Sequence, residues 1–277
     1  MDRVKYIIEY FNKAGFVISV KQSEQFYKYY ELLVSWNEKM NLTGITEFEE
    51  VLRKHFLDSI MLIKTEQFGF RSVRQDIVAA PNRTQQFGIQ SDQRDINTVN
   101  EGFSVKTTQD QVSLIDIGTG AGFPGLPLKI MCPDLEVLLL DSLKKRVDFL
   151  NLVIKELQLE NITAVHARAE EFVGDGNREK FDFCVSRAVA DLRVLSELCI
   201  PYVKCGGYFV SYKSGVYENE LSSSQNAIHI LGGEIETVDK FTLDGGDEER
   251  SFIMIRKSES TSDKYPRRSA RIMKNPL

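Results

Sequence analysis

Cysteine is scarce: Cys132, Cys184, Cys199 and Cys205 are the only four in 277 residues, and no two form a Cys-x-x-Cys pair. Three scattered histidines, His55, His166 and His229, supply no ligand spacing. No zinc centre is expected, and the thiols read as reduced, mostly buried small apolar groups. Long hydrophobic runs are missing too: nothing approaches the ~18 uncharged apolar residues of a membrane span. Met1 to Phe16 carries Asp2, Arg3, Lys5, Glu9 and Lys13, which argues against a secretory signal, so a cytoplasmic protein is expected. Net positive charge is absent, since 35 Lys+Arg against 40 Asp+Glu leaves −5. The chain therefore has no overall field with which to coat a polyanion, and any such site must be local. There is no internal repeat and no Gly-x-x-x-x-Gly-Lys-Ser/Thr loop, so nucleoside triphosphates are not expected ligands.

What is present is an ordinary globular composition, 42% hydrophobic and 27% charged, in a length that suits one α/β unit with an appendage. Val4, Ile7, Ile8 and Phe11 share one helical face. Ser23 to Met40 places Phe26, Tyr29, Tyr30, Leu33 and Trp36 on one side, a stripe that reads as core in preference to a base-stacking surface. Glu47 to Ile63 reads as a third helix, with Thr46 and Glu49 offering a capping box. Residues 1–66 thus form an N-terminal helical cap. The stretch from Phe70 to Val112 holds seven Gln and five basic against five acidic side chains without period, so 67–112 is expected to be an exposed polar insertion.

Alternation of apolar strands and helices follows over 113–258. Strands are expected at Ser113–Ile117, Glu136–Leu140, Ile162–His166, Phe181–Ser186, Gly207–Lys213, Gly233–Phe241 and Arg250–Lys257. Helices are expected at Leu126–Met131, Lys144–Leu157, Leu192–Val203 and Glu218–Leu231. Such units require a mostly parallel sheet covered by helices, and the Asp-Gly-Gly-Asp link between the last two strands adds an antiparallel edge. Residues 259–277 form a basic tail.

The strongest chemical signal is Asp116-Ile117-Gly118-Thr119-Gly120-Ala121-Gly122-Phe123-Pro124-Gly125, at the carboxyl end of the first strand. Glycines there let backbone approach a nucleotide-like ligand, with Gly118 and Gly120 the closest candidates. Gly120 to Gly125 also satisfies a dinucleotide pattern, with Asp141 21 residues on from Gly120, so a nicotinamide-dependent oxidoreductase is one alternative. Asp116 would repel a pyrophosphate and attract an ammonium, which favours S-adenosylmethionine, with Asp141 accepting from ribose hydroxyls. A non-catalytic RNA-binding module is the alternative of a different kind. His55, Asp58 and Ser59 share a helix face but lack a nucleophile elbow, so they read as packing or RNA contact. Two basic clusters are candidate phosphate contacts: Lys144, Lys145 and Arg146, and Lys264, Arg267, Arg268, Arg271 and Lys274.

Trp36-Asn37-Glu38-Lys39-Met40-Asn41-Leu42-Thr43, His55-Phe56-Leu57-Asp58-Ser59, the glycine turn, Asp141 to Leu150, Arg168-Ala169-Glu170-Glu171, Ser186-Arg187-Ala188 and Lys264 to Arg268 follow one another in order. At these residues the chain closely resembles the GidB/RsmG family of S-adenosylmethionine-dependent guanine-N7 methyltransferases acting on small-subunit ribosomal RNA. The resemblance implies a Rossmann-like methyltransferase fold, S-adenosyl-L-methionine as cofactor, no metal, and small-subunit ribosomal RNA or the ribosomal subunit as partner. A monomer is the default expectation. The resemblance also implies cofactor contacts at Gly118, Phe123, Asp141, Ala169, Glu170 and Arg187, and Arg187 is the first choice for orienting reactants. The chain departs from the family in its long insertion and in Ser269-Ala270-Arg271, where a Gly/Pro-rich stretch is usual.

Overall fold

β1 (Ser113–Ile117) is buried along its whole length, as a strand covered by helices on both faces must be. It belongs to a computed structural model that describes residues 2–72, 111–187, 190–215, 217–243 and 247–277. Six further strands complete one sheet: β2 (Glu136–Asp141), β3 (Ile162–His166), β4 (Phe181–Ser186), β5 (Val203–Ser214), β6 (Gly233–Thr242) and β7 (Glu249–Lys257). Their order is β3-β2-β1-β4-β5-β7-β6. The first five pair in parallel, whereas β7 runs antiparallel to both β5 and β6. This is the expected Rossmann-like sheet with an antiparallel edge. β1 pairs with both β2 and β4, so the strand order reverses around it, and the crevice beyond its carboxyl end is where open α/β sheets bind ligands.

Because neighbouring residues of a strand point to opposite faces, the core divides in two. Leu114, Leu139 and Val210 join Ile7, Phe11, Phe26 and Phe56 of the N-terminal helices on one face. Ile115, Leu140 and Phe209 join Leu192 and Leu195 on the other. The N-terminal helices accordingly share their core with the sheet. Helix Val20–Met40 starts at a Ser19–Gln22 capping box and buries Phe26, Tyr29 and Leu33, as the stripe requires, with Tyr30 and Trp36 partly buried beside them.

Several expectations are corrected. The third helix begins at Phe48 after Glu47, with no side-chain cap, so the Thr46–Glu49 capping box does not form. That segment also passes through a π-helical turn at Leu52–Leu57 and ends in a 3₁₀ turn, Met61–Lys64. A helix, Glu66–Ser72, replaces the start of the expected insertion, because Phe68 is buried with its ring 4.9 Å from that of Phe183. Residues 73–110 of that insertion lie outside the described residues. Helix Leu192–Cys199 gives way to a 3₁₀ turn, Ile200–Tyr202, around Pro201, which has no N–H to donate, and β5 starts at Val203. Among the described residues no helix is long and apolar enough to cross a membrane.

The tail is docked. Glu197, fully buried, accepts from the backbone N–H, Nε and guanidinium of Arg267 at 2.8, 2.8 and 2.6 Å. Ile272 of helix Ser269–Lys274 is buried as well. Arg267 is therefore a strut and does not belong with the exposed tail cations Lys264, Arg268, Arg271 and Lys274.

Candidate active site

Parallel pairing brings the selected residues to one edge. Gly118, Asp141, Ala169 and Arg187 lie at or within three residues of the carboxyl ends of β1, β2, β3 and β4. The backbone N–H groups of Gly118 and Thr119 donate to Leu140 O at 2.9 and 3.2 Å, holding the turn against β2. Asp141 accepts from Gly120 N at 2.9 Å and Leu143 N at 2.8 Å, with Arg146 at 3.4 Å. Ala167 N donates to Asp141 O at 3.2 Å, and Ala169 O accepts from buried Tyr202 at 2.6 Å. The Ala169–Glu170 pair, half-buried, thus sits beside Asp141.

The turn's glycines divide by what surrounds them. At Gly125 a Cβ would overlap Leu139 and come within 2.9 Å of Asp116 Oδ2, so packing demands glycine there. Gly118 has φ +70°, and a Cβ there would meet no atom within 4 Å. Only open space lies on that side, a cradle that a side chain would fill. The residues present therefore fit a nucleoside ligand laid across the turn: glycine backbone on one side, the Asp141 carboxylate next to it and the half-buried Ala169–Glu170 pair beyond.

Asp116 behaves differently from the sequence expectation. Its side chain is fully buried, and Oδ2 accepts from Thr119 Oγ1 at 2.7 Å and Gly125 N at 2.9 Å. It braces the turn instead of touching an ammonium, and Oδ1 is left without a hydrogen-bond partner. Burial pushes the carboxyl up to about 7, despite the opposing bonds from Thr119 and Gly125. A raised folded-state value means the group's stabilisation is full below its unfolded pKa near 4 and is lost as pH rises through about 7. Asp116→Asn removes that titration, so thermal unfolding should show the variant gaining on the parent more at pH 8 than at pH 5, by on the order of 2–3 kcal/mol. An equal difference at both pH values would refute it.

Phe123 is a buried hub. Its ring lies 5.4 Å from that of Tyr29 and 4.6 Å from that of His55, with the Arg187 guanidinium 4.9 Å above it. Tyr29 donates to Ala121 O at 2.5 Å, tying the aromatic stripe to the glycine turn. Arg187 donates to Asp58 Oδ2 at 3.0 Å and Lys54 O at 3.1 Å, with His55 Nδ1 at 3.2 Å. Burial, then the Arg187 charge, drops the His55 pKa to about 3, so the ring is neutral near pH 7. Ser59 Oγ donates to the His55 carbonyl at 2.5 Å, which spends the hydroxyl on backbone and leaves no hydrolase triad.

Beyond Arg187 opens a cavity of about 870 Å³ lined by His55, Asp58, Arg187, Tyr212, Lys213 and Arg250 among others. Its size falls within the ~300–1,000 Å³ of small-molecule sites. Sequence reasoning missed Tyr212, Lys213 and Arg250, which stand far from any motif. The π-helical turn that carries Lys54 and His55 was equally invisible, although such turns recur at functional sites. Of the other sequence candidates, Lys144 pairs with Asp148 at 2.7 Å, Arg146 leans on Asp141, and Lys145 is exposed.

A sheet of this order, with a glycine turn after β1 and acids after β2 and β3, defines an S-adenosylmethionine-dependent methyltransferase of the Rossmann-like class. The family model for rRNA small subunit methyltransferase G matches residues 22–77 and 95–252. The chain is 45% identical over 271 residues to ribosomal RNA small subunit methyltransferase G of Lachnoclostridium phytofermentans, covering 98% of this chain and 96% of that one. The protein of that name from Clostridium botulinum is 42% identical, covering 96% and 95%, and that from Staphylococcus carnosus is 41% identical, covering 99% and 98%. The chain belongs to this family, GidB.

Proposed function

We propose that this chain methylates N7 of a guanine in small-subunit ribosomal RNA, in the cytoplasm, with the base received in the cavity beside Arg187. What carries the reading is the meeting at one sheet edge of the open glycine turn, Asp141 and Arg187, with the cavity directly beyond, in a chain of this family. Gly118, Gly120, Asp141, Ala169 and Glu170 would hold S-adenosylmethionine, which supplies a methyl group on a sulfonium centre. Phe123 supports them from beneath the turn. Guanine N7 has an in-plane lone pair and no hydrogen, so no general base is needed, and neutral His55 need not act as one. The protein's task is placement in line. Arg187 suits that task, because one guanidinium joins the turn's Phe123 to Asp58 of the cavity wall. Exposed Lys145, Lys264, Arg268 and Arg271 are further candidate phosphate contacts. A nicotinamide dinucleotide fits less well, since its pyrophosphate would lie beside the carboxylate of Asp141.

Mass-spectrometric mapping of ribosomal RNA from cells with and without the chain tests the reading: one 7-methylguanine should vanish from the small subunit. For Arg187→Lys, which keeps the charge but loses the fork, steady-state kinetics should show kcat down on the order of 10²-fold with a smaller change in S-adenosylhomocysteine affinity. Equal losses in both would make Arg187 a cofactor ligand only.

A further inference from the structure

Three cations outside the motifs meet around one carboxylate beside the cavity. Arg53 and Lys54 come from the π-helical turn, Arg250 from the start of β7, and Lys54 and Arg250 line the cavity itself. Glu248, from the segment leading into β7, lies 3.2 Å from Arg53, 3.0 Å from Lys54 and 3.6 Å from Arg250. Glu50 also pairs with Arg53 at 3.0 Å and Lys54 at 2.7 Å, and Asp58 stands 3.4 Å from Arg250.

Glu248 thus occupies the centre of a three-cation cradle at the edge of a cavity sized for a nucleotide. We propose that Arg53, Lys54 and Arg250 are a phosphate clamp for the RNA strand entering the cavity, and that Glu248 is an internal anion which the incoming phosphodiester displaces. This rests on the reading of the cavity as the site of the target nucleotide. The exchange conserves charge, one carboxylate leaving as one phosphodiester arrives, so the cations stay compensated throughout. It is also cheap. The Glu248 side chain is already 39% exposed, and pairs of that kind are individually weak. Two bidentate-capable guanidiniums and an ammonium match phosphate oxygens better than they match a single carboxylate. The clamp also answers how an acidic chain holds a polyanion at this spot, because Arg267 is committed to Glu197 and Lys144 to Asp148.

The test uses the full chain with S-adenosylhomocysteine bound and a small-subunit ribosomal RNA transcript, titrated at several salt concentrations. Glu248→Gln should tighten RNA binding several-fold, up to about tenfold, without changing S-adenosylhomocysteine affinity. Lys54→Gln and Arg250→Gln should each make the log–log salt slope shallower by up to about 0.7 for a single-stranded contact. A purely structural staple between the helical cap and β7 gives the opposite pattern: Glu248→Gln would lower the unfolding temperature and leave RNA affinity unchanged or weaker. That result overturns the clamp, as does an unchanged slope in both cation variants. If the parent chain binds S-adenosylhomocysteine but no ribosomal RNA, the substrate reading itself fails and the clamp with it. Tight parental binding with an unresponsive Glu248→Gln variant sinks the clamp alone.

Discussion

Gly118→Val is expected to abolish S-adenosylhomocysteine binding in a chain that still folds. The two halves of that result have separate causes. Gly118 sits at φ +70°, a conformation that a β-branched residue adopts only under strain, so stability should fall by about 1–2 kcal/mol. The added Cβ meets no protein atom within 4 Å, so the surrounding packing is undisturbed. The side chain instead fills the open space over the turn, and strain common to free and bound protein would not by itself weaken binding. Calorimetry should therefore show no binding heat while the thermal transition moves only a few degrees. Wild-type affinity in a folded variant would take the turn out of the cofactor site.

Arg267→Met should be the most damaging single change in the tail. It leaves the fully buried Glu197 without its counter-charge and without the two guanidinium bonds, keeping only the one from the backbone N–H of residue 267. Breaking a buried pair from one side costs about 3–5 kcal/mol, which at about 2–4 °C per kcal/mol in chains of this size lowers the unfolding temperature by roughly 10 °C. Removing both partners is a different matter. Glu197→Leu combined with Arg267→Leu should recover most of the loss, because no buried charge then remains unpaired. Scanning calorimetry of the three variants decides it, and a shift below about 2 °C for Arg267→Met would mean that the tail is not held by this pair. Any test of RNA binding by the tail should accordingly spare Arg267 and target Lys264, Arg268 and Arg271.

Much of the site was legible because its members stand next to local signals. A glycine turn, an apolar run ending in Asp141 and an Arg after Ser186 are each read within ten residues, and each is placed at a strand end. The roles were less legible. Asp116 looked like an ammonium ligand until its burial and its bonds to Thr119 and Gly125 became visible. Phe123, offered as a cofactor contact, also has its ring packed among Tyr29, His55 and Arg187, a role the sequence did not suggest. For Asp116, residue type suggested chemistry and burial decided it.

Local sequence pattern was enough to place the chain in the α/β class, to bound β1, β3 and β4 to the residue, and to put the glycine turn at the carboxyl edge. Hydrogen-bonding period and backbone preference act over neighbouring residues, so these features are written locally. The insertion of β7 between β5 and β6, the core shared by the helical cap and the sheet, and the cradle of Arg53, Lys54 and Arg250 around Glu248 arise only in the assembled fold. The bond between Arg53 and Glu248 joins residues 195 apart in the chain, and that between Arg187 and Asp58 joins residues 129 apart. No local period encodes such pairs. They form because burying two faces of one sheet leaves few ways to arrange the helices, and in the arrangement adopted these charges meet.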